Sequence, residues 1–231
     1  MAKPTLAYIL RIQGEPSKGY AQTCFESCSK VGIPAVYFMG YEHMTGKMAF
    51  RQTGIKNLPT EDYMYIQNPA PAHRAMCCTA GHFHIWKTIA NGKDEAAIIL
   101  EHDAIMLQPV DIDIPENRIV VLGYKLPDPS RYDHEKAGPP KEFINILGHE
   151  GAHAYAMTKK TAQFLIDEIE SKGIRSAVDN DYFILGQRKT EIPLVIASPT
   201  PAMGWLREST IWGGSAYRNY EFIPSFQENY K

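Results

Sequence analysis

Three consecutive residues, Glu101, His102 and Asp103, carry the side chains best suited to hold a metal ion. They directly follow the apolar run 96–100, which predicts a buried strand. Two carboxylates at the carboxyl end of such a strand suit Mn²⁺ or Mg²⁺, and the central imidazole favours Mn²⁺ because Mg²⁺ prefers oxygen ligands. A metal there can bridge a diphosphate and neutralise the charge that develops as it leaves. Transfer of a sugar from a nucleotide diphosphate requires this chemistry.

Around this triplet, strands and helices are predicted to alternate. Helical spacing of apolar residues indicates helices between the first two strands, over residues 73–90, and between Thr158 and Gly173. Apolar runs predict strands at 6–10, 35–39, 96–100, 118–123, 151–157 and 194–197. This order predicts an α/β fold with a mostly parallel sheet between helices. Ligands of such sheets bind beyond the carboxyl ends of the strands, where the triplet lies.

Three segments show no regular pattern. Residues 40–72 and 125–150 are expected to form long loops around the site, and residues 199–231 an aromatic, loop-like tail. Two tryptophans of that tail, Trp205 and Trp212, are candidates to stack on a sugar or a base.

The composition is that of an ordinary globular protein, with 44% hydrophobic and 22% charged residues. We interpret the chain as one domain, 1–231. Its formal net charge of -2 gives no basic excess, so no nucleic-acid partner is expected. No apolar run approaches the roughly 20 residues of a membrane span, and the N-terminus resembles a first strand more than a signal peptide. We therefore expect a cytoplasmic protein with reduced cysteines. The spacing of its four cysteines matches no common zinc-ligand pattern.

Residues 78–86 read Cys-Thr-Ala-Gly-His-Phe-His-Ile-Trp and are followed by the strand and acidic triplet at 98–103. Together they resemble glycosyltransferase family 25, which includes bacterial lipooligosaccharide galactosyltransferases and collagen galactosyltransferases. That family has a Cys-x-x-Ser-His helix with a downstream Trp, then a strand ending in Glu-Asp-Asp. Here Gly81 replaces the Ser and His102 replaces the central Asp. Later blocks resemble the family in the same order, at 151–162, 177–179 and 208–211.

The resemblance implies a GT-A-like nucleotide-sugar-binding fold, a UDP-sugar donor and a hexose such as galactose. Carried over to this sequence, it implies that Asp103 is the principal metal ligand and that Glu101 contacts the ribose or supports the metal. His82 would hold the donor site near the triplet, and His153 would be a further ligand or a contact to the diphosphate.

The resemblance also implies a glycan or glycoconjugate acceptor, such as a lipopolysaccharide or capsular precursor, and inversion at the anomeric carbon. One displacement there needs a carboxylate base that takes the proton of the acceptor hydroxyl. Asp179 is the first candidate for this base or for binding the acceptor, and Asp181 is the second.

Several of these residues also have a purely structural interpretation. His82 shares a helix face with Trp86, which is expected in the core, and could be a core histidine whose hydrogen bonds are satisfied. His153 could bond only to backbone, and Asp179 could cap the following helix. His84 is expected to be exposed.

Two other functions stay open from the sequence. One is a metal-dependent hydrolase or nucleotidyltransferase whose ligands come from His82, His84 and the triplet. However, His82 and His84 are about 200° apart on a helix, so they cannot chelate one ion from it. The other is a non-catalytic protein that binds glycans or nucleotide-sugars, which the altered triplet and the absence of the family's early Arg-rich segment would fit.

Overall fold

The computed structural model of the chain describes residues 1–57, 69–126, 138–174, 176–184 and 188–205. The strands are β1 (Ala7–Arg11), β2 (Ala35–Met39), β3 (Ala96–Glu101), β4 (Ala104–Met106), β5 (Ile119–Val121), β6 (Gly123–Leu126), β7 (Glu142–Ile146), β8 (Ala154–Thr158), β9 (Leu194–Ser198) and β10 (Ala202–Trp205). The helices are α1 (Ser17–Lys30), α2 (Gly46–Thr53), α3 (Pro69–Asn91), α4 (Lys159–Lys172) and α5 (Val178–Tyr182).

A seven-stranded sheet with the order β2-β1-β3-β8-β5-β9-β7 forms the centre of the fold. Strands β2, β1 and β3 pair in parallel, as do β5 and β9, whereas β8 and β7 run antiparallel to their neighbours. Five of the seven strands therefore share one direction. The first parallel pair is joined by α1, the kind of crossover that parallel strands require. This architecture confirms the predicted α/β class, a mostly parallel sheet flanked by helices.

Strand β3 is buried on both faces of the sheet. Its residues Ala97 and Ile99 pack into one hydrophobic core with α2, α3 and α4, while Ile98 and Leu100 pack into a second core with α1. Side chains alternate along a strand, so a strand covered on both faces must be apolar at every position. The unbroken apolar run for this reason identified the strand correctly.

The predicted helices over residues 73–90 and between Thr158 and Gly173 are confirmed as α3 and α4. Helix α3 has 23 residues and buries Trp86 completely, as expected for a core residue. Helix α4 begins at the predicted cap, because Thr158 Oγ1 accepts a hydrogen bond from the Thr161 backbone N–H at 3.2 Å. It ends at Gly173, whose φ of 74° is unfavourable for other residues.

The three segments predicted as loops contain regular structure, which corrects that prediction. Helix α2, capped by Thr45, lies within 40–72, and β7 lies within 125–150. Strand β10 lies within 199–231 and joins β4 and β6 in a second, three-stranded sheet. Eight residues are too few for a clear helical period, and β7 and β10 depend on partners remote in sequence.

The predicted strand at 118–123 is interrupted at Leu122, which separates β5 from β6. Residues 58–68, 127–137 and 206–231 lie outside the described residues. The block 208–211, Trp212 and most of the predicted tail are among them. Across the helices that the structure describes, none has both the length and the apolar character needed to cross a membrane.

Candidate active site

The acidic triplet lies at the carboxyl-terminal edge of the main sheet. Glu101 is the last residue of β3 and pairs with Leu10 near the end of the parallel strand β1. Its backbone N–H donates to the His153 carbonyl oxygen at 2.8 Å, across the pair formed by β3 and β8. His102 and Asp103 then form the turn that leads into β4. The sequence prediction placed the triplet at this edge, and the structure agrees.

The Glu101 side chain meets two side chains of helix α3. Glu101 Oε1 lies 3.2 Å from His82 Nε2 and 3.9 Å from Cys78 Sγ. Cys78 and His82 are four residues apart and therefore share one face of the helix. His82 is fully buried, while 18% of the Glu101 side chain is exposed. This corner of the molecule thus joins a thiol, an imidazole and a carboxylate where the sheet edge meets α3.

A buried hydrogen-bond network continues inward from His82. His82 Nδ1 lies 2.8 Å from Tyr155 Oη, and Trp86 Nε1–H donates to the same oxygen at 2.8 Å. Burial raises the pKa of Tyr155 well above its ordinary value, so the phenol keeps its proton. When its O–H donates to Nδ1, the neutral imidazole carries its proton on Nε2 and donates it to Glu101. The hypothesis that His82 is a fully bonded core histidine and the hypothesis that it holds the triplet are both consistent with this geometry.

The other two triplet residues contact a different element, helix α1. The His102 ring stacks on Tyr20, with ring centroids 5.8 Å apart. Asp103 is half-buried and, after burial and Cys28, is a further cause of the raised pKa of Cys24. The Asp103 carbonyl oxygen accepts a hydrogen bond from the Trp205 backbone N–H at 2.9 Å. The triplet therefore divides its side chains, with Glu101 against α3 and the other two beside α1.

His153 lies behind the triplet, at the start of β8. It is fully buried, and its Nε2 lies 3.1 Å from the Gly123 carbonyl oxygen, so Nε2–H is the donor. Its ring centroid is 5.3 Å from that of His149. The contact to Gly123 agrees with the structural interpretation, in which His153 bonds to backbone. Its role as a ligand stays a prediction.

Asp179 and Asp181 lie on the short helix α5, which packs against α3 at Thr79. The Val178 backbone N–H donates to Thr79 Oγ1 at 3.1 Å and ties the start of α5 to α3. Asp179 is half-buried and does not cap α5, because Ala177 occupies that position without a side-chain hydrogen bond. Asp181 is only 4% exposed.

The carboxylate of Asp181 has a structural partner. Its Oδ2 accepts a hydrogen bond from the Ser176 backbone N–H at 2.8 Å. Asp179, by contrast, contributes to the electrostatic environment of Tyr155, together with Glu101 and Cys78. Of the two candidates, Asp179 is therefore the one whose charge reaches Tyr155, the partner of His82.

His84 is not exposed, which corrects the sequence prediction. It is half-buried, with Nδ1 2.7 Å from Tyr41 Oη and its ring 5.1 Å from that of Phe38. Burial, with a smaller effect of Lys87, lowers the pKa of His84, so the imidazole is neutral and Nδ1 accepts a hydrogen bond from the Tyr41 O–H. His82 and His84 thus contact different neighbours, as their helical spacing requires. The geometry does not support the hypothesis in which both bind one metal ion.

Cys78 is the site residue that sequence reasoning missed. It is the first residue of the motif at 78–86, and the resemblance implies no role for it. A Cys and a His at positions i and i+4 of a helix are a metal-ligand signal in their own right, since both side chains face one side. Among the described residues, one group of three potential ligands brings its donor atoms within 4.8 Å of one another, and it consists of Cys78, His82 and Glu101.

The predicted metal set of Asp103, Glu101 and His102 is brought together only in part. Glu101 is shared with the group on α3, whereas His102 stacks on Tyr20. Two oxygen donors of the type that Mn²⁺ or Mg²⁺ accepts do lie at this sheet edge, on Glu101 and on the half-buried Asp103. A nucleotide diphosphate commonly supplies further oxygens to such an ion, so these carboxylates fit the predicted metal.

Known structures similar to this chain are glycosyltransferases. Glycosyltransferase GlyE of Streptococcus pneumoniae TIGR4 has a TM-score of 0.37 and 10% identity over 74% of this chain and 38% of its own. A glycosyltransferase involved in glycosylation of the major capsid of PBCV-1 has a TM-score of 0.42 and 10% identity over 88% and 96%. Galactosyltransferase LgtC, solved with donor and acceptor sugar analogs, has a TM-score of 0.42 and 11% identity over 97% and 99%.

This chain thus spans well under half the length of GlyE. No protein-family model matches the sequence, and no curated protein matches it either. At this level of identity, what the chain does has to be inferred from its own side chains.

Proposed function

We propose that this chain is a metal-dependent glycosyltransferase that moves a hexose from a UDP-sugar to a glycan or glycoconjugate acceptor, with inversion. The observation that carries the proposal is the position of Glu101 and Asp103 at the carboxyl edge of the parallel strands β1 and β3. In α/β sheets this edge is where nucleotides bind. The resemblance of residues 78–103 to glycosyltransferase family 25 supports the same reaction.

On the donor side, Asp103 is the proposed principal metal ligand. A bound Mn²⁺ or Mg²⁺ would neutralise the negative charge that develops on the diphosphate leaving group. Asp103 is half-buried beside α1, and β10 is fixed to its carbonyl oxygen through the Trp205 N–H. That bond brings half-buried Trp205 next to the metal ligand, where an aromatic side chain can stack on a base or a sugar.

Glu101 is the second donor-side residue in this proposal. His82 and the Tyr155–Trp86 network fix its carboxylate from the interior, so it is oriented before a donor arrives. Such preorganisation lets a carboxylate bind a ribose hydroxyl or support a metal without first losing side-chain freedom. His153, bonded to the Gly123 carbonyl, would act from behind the triplet, through the position of β8.

On the acceptor side, Asp179 is the proposed base that takes the acceptor hydroxyl proton. It is partly accessible and lies on a helix whose start is hydrogen-bonded to Thr79 of α3. Asp181 is the weaker candidate, because it is nearly fully buried and its carboxylate holds the Ser176 backbone N–H. UDP and galactose are proposed from the family resemblance, and the two carboxylates suit either Mn²⁺ or Mg²⁺, since His102 stacks on Tyr20.

The test is a calorimetric titration of the purified chain with UDP, with and without Mn²⁺. Asp103→Ala should abolish the metal-dependent part of UDP binding, whereas Asp111→Ala, which removes an exposed carboxylate bound to Lys3, should leave it intact. UDP-galactose and UDP-glucose are then screened for turnover with glycan acceptors. Absence of metal-dependent binding of any nucleoside diphosphate would contradict the proposal. Binding without turnover on any donor would favour the non-catalytic alternative.

A further inference from the structure

We propose that Cys78, His82 and Glu101 form a second metal site, for Zn²⁺ or a chemically similar ion. It is distinct from the donor-binding metal at Asp103 and does not depend on the proposed sugar transfer. All three side chains come from the meeting point of helix α3 and the end of strand β3, and their donor atoms lie within 4.8 Å of one another.

The two donor-atom distances to Glu101 Oε1 are close to those around a tetrahedral ion. With bonds of about 2.0 Å to nitrogen and oxygen and about 2.3 Å to sulfur, tetrahedral ligands lie about 3.3 Å (N to O) and about 3.5 Å (S to O) apart. The corresponding distances here are 3.2 Å for His82 Nε2 to Glu101 Oε1 and 3.9 Å for Cys78 Sγ to the same oxygen. A hydrogen bond alone accounts for the first distance. The Cys78 sulfur, which lies near the same oxygen, adds the third donor atom that distinguishes a metal-ligand set from a simple hydrogen bond.

The surroundings of His82 are those of a metal-binding histidine. Such a residue normally donates its second ring N–H to an oxygen that fixes the ring. Here Nδ1 lies 2.8 Å from Tyr155 Oη, which also accepts Trp86 Nε1–H at 2.8 Å. The phenol oxygen has two lone pairs and can accept both N–H groups. Metal binding at Nε2 would place the histidine proton on Nδ1, which then donates to Tyr155 Oη, so the Tyr155 O–H no longer has Nδ1 as its acceptor.

The type of ion follows from the donor atoms. One sulfur, one nitrogen and one oxygen suit Zn²⁺ or Co²⁺, whereas Mg²⁺ and Mn²⁺ favour sites built from oxygen. The Cys78 thiol must release its proton to solvent on binding, because the thiolate is the ligand. Three protein ligands leave one tetrahedral position, and since Cys78 and Glu101 are both partly exposed, an ion can enter and bind a water there.

The test uses the full chain, freed of metal by a chelator and titrated with Co²⁺ without nucleotide or sugar. We expect one equivalent to produce a thiolate-to-cobalt charge-transfer absorption in the near ultraviolet, which Zn²⁺ then abolishes by displacement. Cys78→Ser should lose this absorption, and His82→Gln should weaken Co²⁺ binding by about 100-fold or more. Tyr155→Phe should keep the absorption but bind Co²⁺ about 10-fold more weakly.

Two variants serve as matched controls. Cys77→Ala removes the neighbouring buried thiol, whose Sγ faces the Met44 carbonyl oxygen, and should keep the absorption. Asp103→Asn should also keep it, which separates this site from the donor-binding metal. No absorption with the wild-type chain, its persistence in Cys78→Ser or its loss in Cys77→Ala would each overturn the proposal.

A measurement on the unmodified chain covers the case in which a variant does not fold. Zn²⁺ should protect the Cys78 thiol from alkylation by iodoacetamide, as read by mass spectrometry of the peptide that contains it, with fragment ions separating Cys77 from Cys78. We expect at least a 10-fold slower modification of Cys78 at saturating Zn²⁺, since a metal-bound thiolate is withheld from the reagent. Equal rates with and without Zn²⁺ would overturn the proposal.

Discussion

His82 Nε2 lies 3.2 Å from Glu101 Oε1, so a fully buried imidazole of helix α3 holds the last side chain of strand β3. The same ring bonds through Nδ1 to Tyr155 on β8. Two consecutive elements, α3 and β3, and the remote strand β8 therefore determine where one carboxylate of the acidic triplet lies. Because this network is buried, its loss should lower both the free energy of unfolding and the affinity for a metal ion.

Replacing Tyr155 by Phe should lower the free energy of unfolding by about 3 kcal/mol. The variant removes the oxygen that accepts Trp86 Nε1–H and bonds His82 Nδ1, and a buried polar group without its partner costs about 1–3 kcal/mol. Urea unfolding followed by circular dichroism measures the change. Tyr37→Phe is the control, since its hydroxyl bonds Gln22 at an exposed position and should contribute less than about 0.5 kcal/mol. Equal losses of unfolding free energy in the two variants would contradict the stabilising role of the buried network.

Local patterns predicted the parts of the site that lie on a single element. The apolar run before Glu101 identified a strand covered on both faces, and Thr158 and Gly173 marked the ends of α4. These signals are local because burial of a central strand and capping of a helix both act within a few residues. The position of the triplet at the sheet edge followed directly.

Contacts between distant elements were beyond such patterns. Cys78 and Tyr155 become partners of Glu101 and His82 only when α3 and β8 pack against β3. The prediction that His84 is exposed is wrong because Tyr41, from a segment without helical or strand periodicity, contacts it. Strand β10 was not predicted because its pairing partners, β4 and β6, are remote from it in sequence.

Lowering the pH should destabilise the fold through His84. Its pKa in the folded chain is lowered from 6.5, mainly by burial and then by Lys87, so the unfolded chain binds a proton more readily. The stability contributed by the neutral ring is therefore fully present above pH 6.5 and is lost as the pH falls from there toward the lower folded pKa. Urea midpoints measured from neutral pH to about pH 5 should fall less steeply in His84→Asn than in the wild type. Parallel curves for the two proteins would contradict this assignment.

Gly123→Ala should destabilise the three-stranded sheet by about 3 kcal/mol, near the upper end of overpacking effects. A Cβ at Gly123 would lie 1.8 Å from the Ala202 carbonyl oxygen, and backbone cannot yield as a side chain can. The change would also disturb the carbonyl that accepts from His153. Gly14→Ala is the control, because its Cβ would meet nothing closer than 3.7 Å. Thermal unfolding of both variants measures the difference, and a Gly123→Ala protein as stable as Gly14→Ala would show that β6 and β10 are not paired as described.

Substitution of the two acidic residues of α5 should separate catalysis from structure. Asp179→Asn should lower kcat of sugar transfer by about 100-fold or more, because loss of a general base typically costs about 10²–10⁴ in rate. Its KM for the donor should stay within about twofold of the wild type, and its free energy of unfolding within about 0.5 kcal/mol.

Asp181→Ala should instead lower the free energy of unfolding by about 1–2 kcal/mol, since the half-buried Ser176 N–H loses its charged acceptor. Steady-state kinetics across pH adds a readout that a structural role would not move. The acidic limb of the kcat profile should disappear in Asp179→Asn, because the group that must be deprotonated to accept the hydroxyl proton is gone. If Asp179→Asn keeps full activity while Asp181→Asn, which retains an oxygen for Ser176, loses both rate and acidic limb, the base is Asp181 and α5 presents its other side to the acceptor.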